Sequence, residues 1–276
     1  MSATVTADLV FFSHPKDGSP PFIYASAPSS GEKRNWVGEH HDVEIENVRG
    51  KQGTFTLDSA GFQFGDQEAK HTAFISDEDV KKEYYPESIE LVKSITGATR
   101  IVPFDHTIRR RRPGEADDSP DKRQPVPQAH VDQTPQSAVA RVHRHLPASD
   151  VPGLLKKRFQ IINLWRPIDH PALDWPLALC DYSSIDPAAD LVPVALRYPD
   201  SDKDGVTFGV KYSEAQQWKY LRGMQPSEYV LIKCYDSRND GKTATFTPHT
   251  AFADSTTPEG TPYRESIELR LLVFYD

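Results

Sequence analysis

Apolar and polar residues alternate over several short stretches of the chain. Val43-Glu44-Ile45-Glu46-Asn47-Val48, Thr54-Phe55-Thr56-Leu57 and Gly61-Phe62-Gln63-Phe64 all follow the period of two that turns one strand face toward a core. Together they predict a small antiparallel N-terminal sheet. Further strands are expected at Phe159–Leu164, Thr207–Val210, Tyr229–Tyr235, Thr243–Phe246 and Ser266–Phe274, the last alternating and then turning continuously apolar, as a strand entering a core does. Over Asp77 to Thr96 the period lengthens to that of a helix, with Val80, Tyr84, Ile89, Val92 and Ile95 on its apolar face. Asp77 is placed to cap this helix and Pro86 to break or restart it. A shorter helix is expected from Gln136 to Leu146. The 23 prolines are dispersed, which suits many short elements joined by fixed turns.

A chain of 276 residues can bury a sizeable core. The expected organisation is a single domain, 1–276, in which strands and a helix of residues 1–105 pack on a core formed by residues 128–276. Between them, residues 109–127 (RRRRPGEADDSPDKRQPVP) contain four consecutive arginines and almost nothing apolar. Acidic residues follow at once, so the stretch reads as an exposed, self-paired loop or lid and not as a nuclear signal. The balance of 32 basic against 40 acidic residues, a net charge of −8, argues against nucleic acid or an anionic membrane as partner, since either needs a basic face. The first residues lack the basic start and long apolar run of a signal or a membrane span. Cys180 and Cys234 have no zinc or redox spacing, and reduced thiols in a cytoplasmic protein are expected.

The chemistry concentrates in AHVDQT. His130 and Asp132 are two residues apart, so on a strand both project from one face toward a single ion. His249 in FTPHTAF, just after a predicted strand, is the candidate third ligand. Two imidazoles and one carboxylate on one face of an octahedral metal leave three positions open, the arrangement of non-haem Fe(II) oxygenases. Farther on, Arg264-Glu265-Ser266 opens the last strand, with Arg264 and Ser266 sharing a face. A guanidinium and a hydroxyl so placed suit the distal carboxylate of 2-oxoglutarate. Arg270 on the same strand face and Arg166 in LWRP are alternatives to Arg264. The order HxD, distant His, then RxS is more specific than any of its pieces.

With VRGKQGTFTLDSAGFQF, FDHTIRRR, AHVDQT, INLWRP, PLALCDYSS, QQWKYLRGMQPSEYVLIKCYDS, FTPHTAF and YRESIELRLLVF, the chain resembles a fungal and bacterial family of Fe(II)/2-oxoglutarate-dependent hydroxylases and desaturases. That family includes cephamycin methoxylation protein-like and gibberellin desaturase-like proteins, and the resemblance covers roughly residues 20 to 275. It implies a mainly β fold with flanking helices, built on a double-stranded β-helix, a cupin-like jelly roll, around the iron. It also implies secondary metabolism, with Fe(II), 2-oxoglutarate and O2 as cofactors and a small molecule (a small acid, an amino acid or a biosynthetic intermediate) as substrate. Hydrogen abstraction from an unactivated C–H bond would give hydroxylation, desaturation or oxidative ring closure.

Asn163 and Arg166 in the family-like INLWRP stretch are further candidates for the cofactor pocket, because a buried polar side chain needs a partner and a cofactor would supply one. The strand period sets Asn163 and Trp165 opposite Leu164 and Arg166, with Trp165 in the core or on the pocket wall. Gln133 and Thr134, directly after the HxD pair, border the open metal positions as candidate substrate contacts, and Tyr84, Tyr85 and Trp218 are candidate aromatic walls. Two other functions compete: a catalytically silent, metal-binding accessory protein on the same scaffold, and a zinc hydrolase, which leaves RxS without a role. A homodimer is compatible with the size of the chain.

Overall fold

Residues 265–274 place Ile267, Leu269, Leu271 and Val273 on one face of a strand and Ser266, Glu268, Arg270 and Leu272 on the other. Both faces are covered, so the strand lies within a layered structure. A computed structural model describes residues 3–25, 28, 31–117, 119–198 and 201–276. In chain order its strands are β1 (Thr4–Phe12), β2 (Phe22–Tyr24), β3 (Gly38–Asn47), β4 (Phe62–Asp66), β5 (Arg100–Arg110), β6 (His130–Val131), β7 (Phe159–Pro167), β8 (Leu177–Cys180), β9 (Leu191–Tyr198), β10 (Ser201–Val210), β11 (Trp218–Tyr220), β12 (Glu228–Asp236), β13 (His249–Ala251) and β14 (Glu265–Phe274). They form a nine-stranded sheet, β1-β3-β11-β8-β13-β6-β10-β9-β2, and a five-stranded sheet, β4-β12-β7-β14-β5. This is a mainly β fold of curled sheets, the jelly-roll class.

The core lies in layers. Ile161, Trp165, Val230, Ile232 and Leu272 of the five-stranded sheet meet Leu179 of the nine-stranded sheet. The opposite face of the five-stranded sheet, with Ile162, Leu164, Leu231 and Leu269, packs against the long helix. The nine-stranded sheet curls until β1 reaches β6 and β10: just before β6 the Ala129 amide donates to the Val10 carbonyl at 2.9 Å. A Cβ on Gly209 of β10 would stand 2.7 Å from the Phe12 ring, so only glycine lets the strands approach this closely.

The long helix, α1, joins an α turn at Asp77–Asp79, a π-helical segment at Val80–Tyr84 and an α-helical run at Tyr85–Thr96. Pro86 does not break it. The widened π turn lies directly before the proline, where a regular α-helix would lose a hydrogen bond and meet the ring. Its N-cap is Ser76, not Asp77: the Ser76 hydroxyl accepts from the Asp79 amide at 3.3 Å. Helix α2 (Pro135–His145) follows β6.

Among the described residues the N-terminal strands form no sheet of their own. β3 pairs with β1 and β11, whereas β4 pairs with β12 in the other sheet. Thr54–Leu57 is not a strand, because Thr56 and Ser59 exchange a 2.7 Å hydroxyl bond and the Thr56 hydroxyl accepts from the Ser59 amide, holding a turn. Thr243–Phe246 is likewise irregular, tied down by the 2.7 Å bond from the Thr243 amide to Asp240. The arginine run is only partly loop: Arg109 and Arg110 belong to β5. Arg110 and Arg111 reach Glu265 and Asp174, at 2.6 and 2.7 Å, and among the described residues Arg123–Asp117 is the one ion pair within the stretch. Among the described residues, no helix is long and apolar enough to cross a membrane.

Candidate metal centre

The short strand β6 lies between β13 and β10, with His130 directly opposite His249. The period of two turns His130 and Asp132 to the interior and sends Val131 to the opposite side, into the cluster with Ala178 and Cys180. One ligand atom from each of His130, Asp132 and His249 falls within 4.8 Å of the others. Asp132 Oδ1 stands 3.4 Å from His130 Nε2 and 4.0 Å from His249 Nε2.

Both imidazoles are oriented from behind. His130 Nδ1 donates to the Gln128 carbonyl at 2.8 Å and His249 Nδ1 to the Thr247 carbonyl at 3.0 Å. A carbonyl only accepts, so each Nδ1 carries the proton and each Nε2 is free to bind a metal. The carboxylate is fixed in the same way, since Asn163 Nδ2 donates to Asp132 Oδ2 at 2.8 Å and leaves Oδ1 facing the histidines. Burial disfavours the Asp132 charge, but the His130 contact and the nearby positive charges outweigh it and hold the carboxyl well below its ordinary range. The same pairing outweighs burial at His130 and raises it, whereas burial, followed by the His130 charge, lowers His249.

The triad shares a cavity with Arg264, Trp165, Leu177, Arg109, Glu268 and Arg270. Arg264 is 2% exposed, and burial, followed by the nearby Arg109 charge, pushes its guanidinium down to about 9. Its Nη1 donates to the Trp175 carbonyl at 2.7 Å and its guanidinium lies 5.6 Å from the centre of the Trp165 ring. Among the described residues no carboxylate pairs with it. Its Nε and the Ser266 hydroxyl are both buried without a partner. Two orphaned donors on one strand face, one of them cationic, form a cradle for a carboxylate.

The alternative anchors are already engaged. Arg270 is held by Glu268 at 2.6 Å, Asp105 at 3.0 Å and Thr107 at 2.8 Å. Arg166 stands on the other face of β7, where its Nη1 donates to the carbonyls of Gln67 and Pro226 at 2.8 and 2.9 Å, so it is a structural clamp and lies outside the pocket. Tyr84, on the buried face of α1, is fully enclosed in the core on this outer side and does not line the cavity. Tyr85 bonds His106 at 2.8 Å. Trp218 packs against Phe11 in the cluster on the side away from the triad. Thr134 caps α2, its hydroxyl accepting from the Ser137 amide at 3.1 Å. Gln133 does not line the cavity of the triad; it is 5% exposed, lines the two neighbouring cavities, and its side-chain oxygen has no partner. Sequence reasoning missed Arg109 and Glu268. Only the register of β14 with β5 and β7, which sets Ser266 beside Arg109 and Glu268 beside Trp165, brings them to the cavity.

Known proteins resemble this chain over its whole length. A family model described as Oxidoreductase/YMDC permease-like domain matches residues 9–274. Hydroxylase/desaturase efuI of Hormonema carpetanum is 35% identical over 100% of this chain and 96% of its own length. The Fe(II)/2-oxoglutarate-dependent dioxygenase nvfI of Aspergillus novofumigatus is 33% identical, covering 96% of this chain and 95% of its own. A solved structure of the iron and alpha-ketoglutarate-dependent endoperoxidase NvfI superposes with a TM-score of 0.85 at 29% identity, covering 100% of this chain and 99% of that one.

Proposed function

Since this chain belongs to the family of Fe(II)/2-oxoglutarate-dependent hydroxylases and desaturases of secondary metabolism, we propose that His130, Asp132 and His249 hold its Fe(II) and that Arg264 and Ser266 hold the distal carboxylate of 2-oxoglutarate. The observation that carries the second assignment is the pair of buried, unpartnered donors on Arg264 and Ser266. When bound, Fe(II) with 2-oxoglutarate and O2 supplies the power to take hydrogen from an unactivated C–H bond, with succinate and CO2 released.

The side chains contribute position and exclusion. The backbone carbonyls of Gln128 and Thr247 keep both imidazoles in the ligating tautomer. Asn163 prevents the carboxylate from turning. Trp165 and Leu177 wall the cavity and keep water from the Arg264 cradle, which strengthens the charge-assisted bonds formed there. Three ligands from the chain leave three metal positions for cosubstrate and O2. A silent accessory protein would have no use for an empty carboxylate cradle. One chain supplies every group of the site, and two buried free thiols, Cys180 and Cys234, fit the reducing cytoplasm.

Anaerobic addition of Fe(II) and 2-oxoglutarate to the metal-free protein tests these roles. The weak visible charge-transfer band of a chelated ferrous keto acid is expected. His249→Ala should abolish it, and Arg264→Ala should raise the 2-oxoglutarate needed for half the signal by about tenfold or more, the loss of one charged hydrogen bond. No band in folded, iron-loaded protein would overturn the assignment.

A further inference from the structure

A second cavity, of about 220 Å³, adjoins the metal centre and shares Asp132 with it. It lies outside the cosubstrate cradle, against helix α2, whose Ala138 and Val142 face the core while Ser137 and Arg141 line the cavity. Leu196 and Val206 form an apolar wall. The volume is below the ~300–1,000 Å³ typical of drug-sized sites, so a small ligand is indicated.

Three features describe that ligand. Arg141 lines the cavity with its guanidinium 5.6 Å from the centre of the Phe104 ring, and no carboxylate pairs with it among the described residues. Arg144, one turn further along, lines the same cavity, and no carboxylate pairs with it among the described residues. In a chain of net charge −8, where Arg110, Arg111, Arg158 and Arg270 all have carboxylate partners, two adjacent guanidinium groups with no carboxylate partner among the described residues make a local anion site. Gln133, 5% exposed, turns a side-chain oxygen without a partner to the same region, where a ligand donor would satisfy it.

We propose that this cavity binds the substrate, a small molecule with an apolar body and a carboxylate that pairs with Arg141, placing a C–H bond of the body beside the metal at Asp132. The proposal rests on the oxygenase reading above and adds the substrate class. Arg141 is a specificity-determining residue here, and Arg144 supports it.

Protein loaded with Fe(II) and saturating 2-oxoglutarate under argon, so that the Arg264 cradle is filled, is titrated with n-alkanoates from hexanoate to dodecanoate and with the matching primary amides. Binding is read by calorimetry and by the shift of the charge-transfer band. At least one carboxylate should bind about tenfold or more tightly than its amide, a difference of about 1.4 kcal/mol. Arg141→Gln should erase that preference while leaving amide affinity within about twofold, and Arg141→Lys should restore part of it. Equal binding of acid and amide, no binding across the series, or an unchanged preference in Arg141→Gln would overturn the proposal. If the band never forms, the oxygenase reading fails on its own, and calorimetry on the metal-free protein still compares wild type with Arg141→Gln.

Discussion

Asp132 shows how much of the site depends on the second oxygen of one carboxylate. Oδ1 faces two imidazoles, and Oδ2 is held by Asn163 at 2.8 Å with the Arg270 Nε 4.0 Å away. Asn163→Ala removes the one short bond that fixes the carboxylate. Iron affinity should fall roughly 10- to 100-fold, as when an outer partner of a metal ligand is lost, with the far-ultraviolet circular dichroism unchanged. Competition with a chelator measures this, and unchanged affinity would remove Asn163 from the positioning role. The HxD pair was legible in the sequence because strand geometry acts over two residues. Asn163 was legible as a buried polar group, but not as the partner of Asp132, since that contact joins residues from different sheets. Arg166 and Tyr84 misled for the same reason. Their chemistry suits a pocket, but register turned Arg166 to the outer face of β7, and Tyr84 of α1 packs into the core on that same side.

Among the elements, β12 and β10 carry unusual constraints. At the end of β12 the fully buried Lys233 bonds Asp236 at 2.8 Å and Asp58 at 2.9 Å, and Arg158 joins Asp236 at 2.6 Å. Burial works against the Asp236 charge, but Arg158 and Lys233 outweigh it and hold the carboxyl below its usual value. A depressed carboxyl stabilises the folded chain above its unfolded pKa of about 3.9, and that contribution is lost as pH falls through the lower folded value. Asp236→Asn, which leaves Lys233 and Arg158 with Asp58 as their shared carboxylate, should cost about 2 kcal/mol at pH 7. Urea denaturation should show the gap from wild type narrowing below about pH 4, and a gap independent of pH would contradict the account. On β10, Gly209→Ala should cost about 1–3 kcal/mol through overpacking against Phe12. A thermal midpoint equal to wild type would show that β1 can yield. β10 and β14 were legible as strands, but the contact of Gly209 with Phe12 depends on how far the nine-stranded sheet curls, which no local pattern records.

For the whole molecule, the curl of one sheet and the facing of the other bring residues from β6, β7, β13 and β14 to one cavity, although they are far apart in the chain. The motif order HxD, His, RxS was legible because each piece lies at a strand end whose faces alternate predictably. The N-terminal strands were legible individually but not in their assembly, since β3 and β4 join different sheets. The central claim is that one cavity holds metal on His130, Asp132 and His249 and the cosubstrate carboxylate on Arg264 and Ser266. An anaerobic crystal structure with Fe(II) and 2-oxoglutarate tests it most directly. The account predicts density for a metal at the two Nε2 atoms and Asp132 Oδ1, and for the distal carboxylate at Arg264 Nε and the Ser266 hydroxyl. A carboxylate held instead by Arg270 or Arg166, or a metal bound away from the triad, would contradict it.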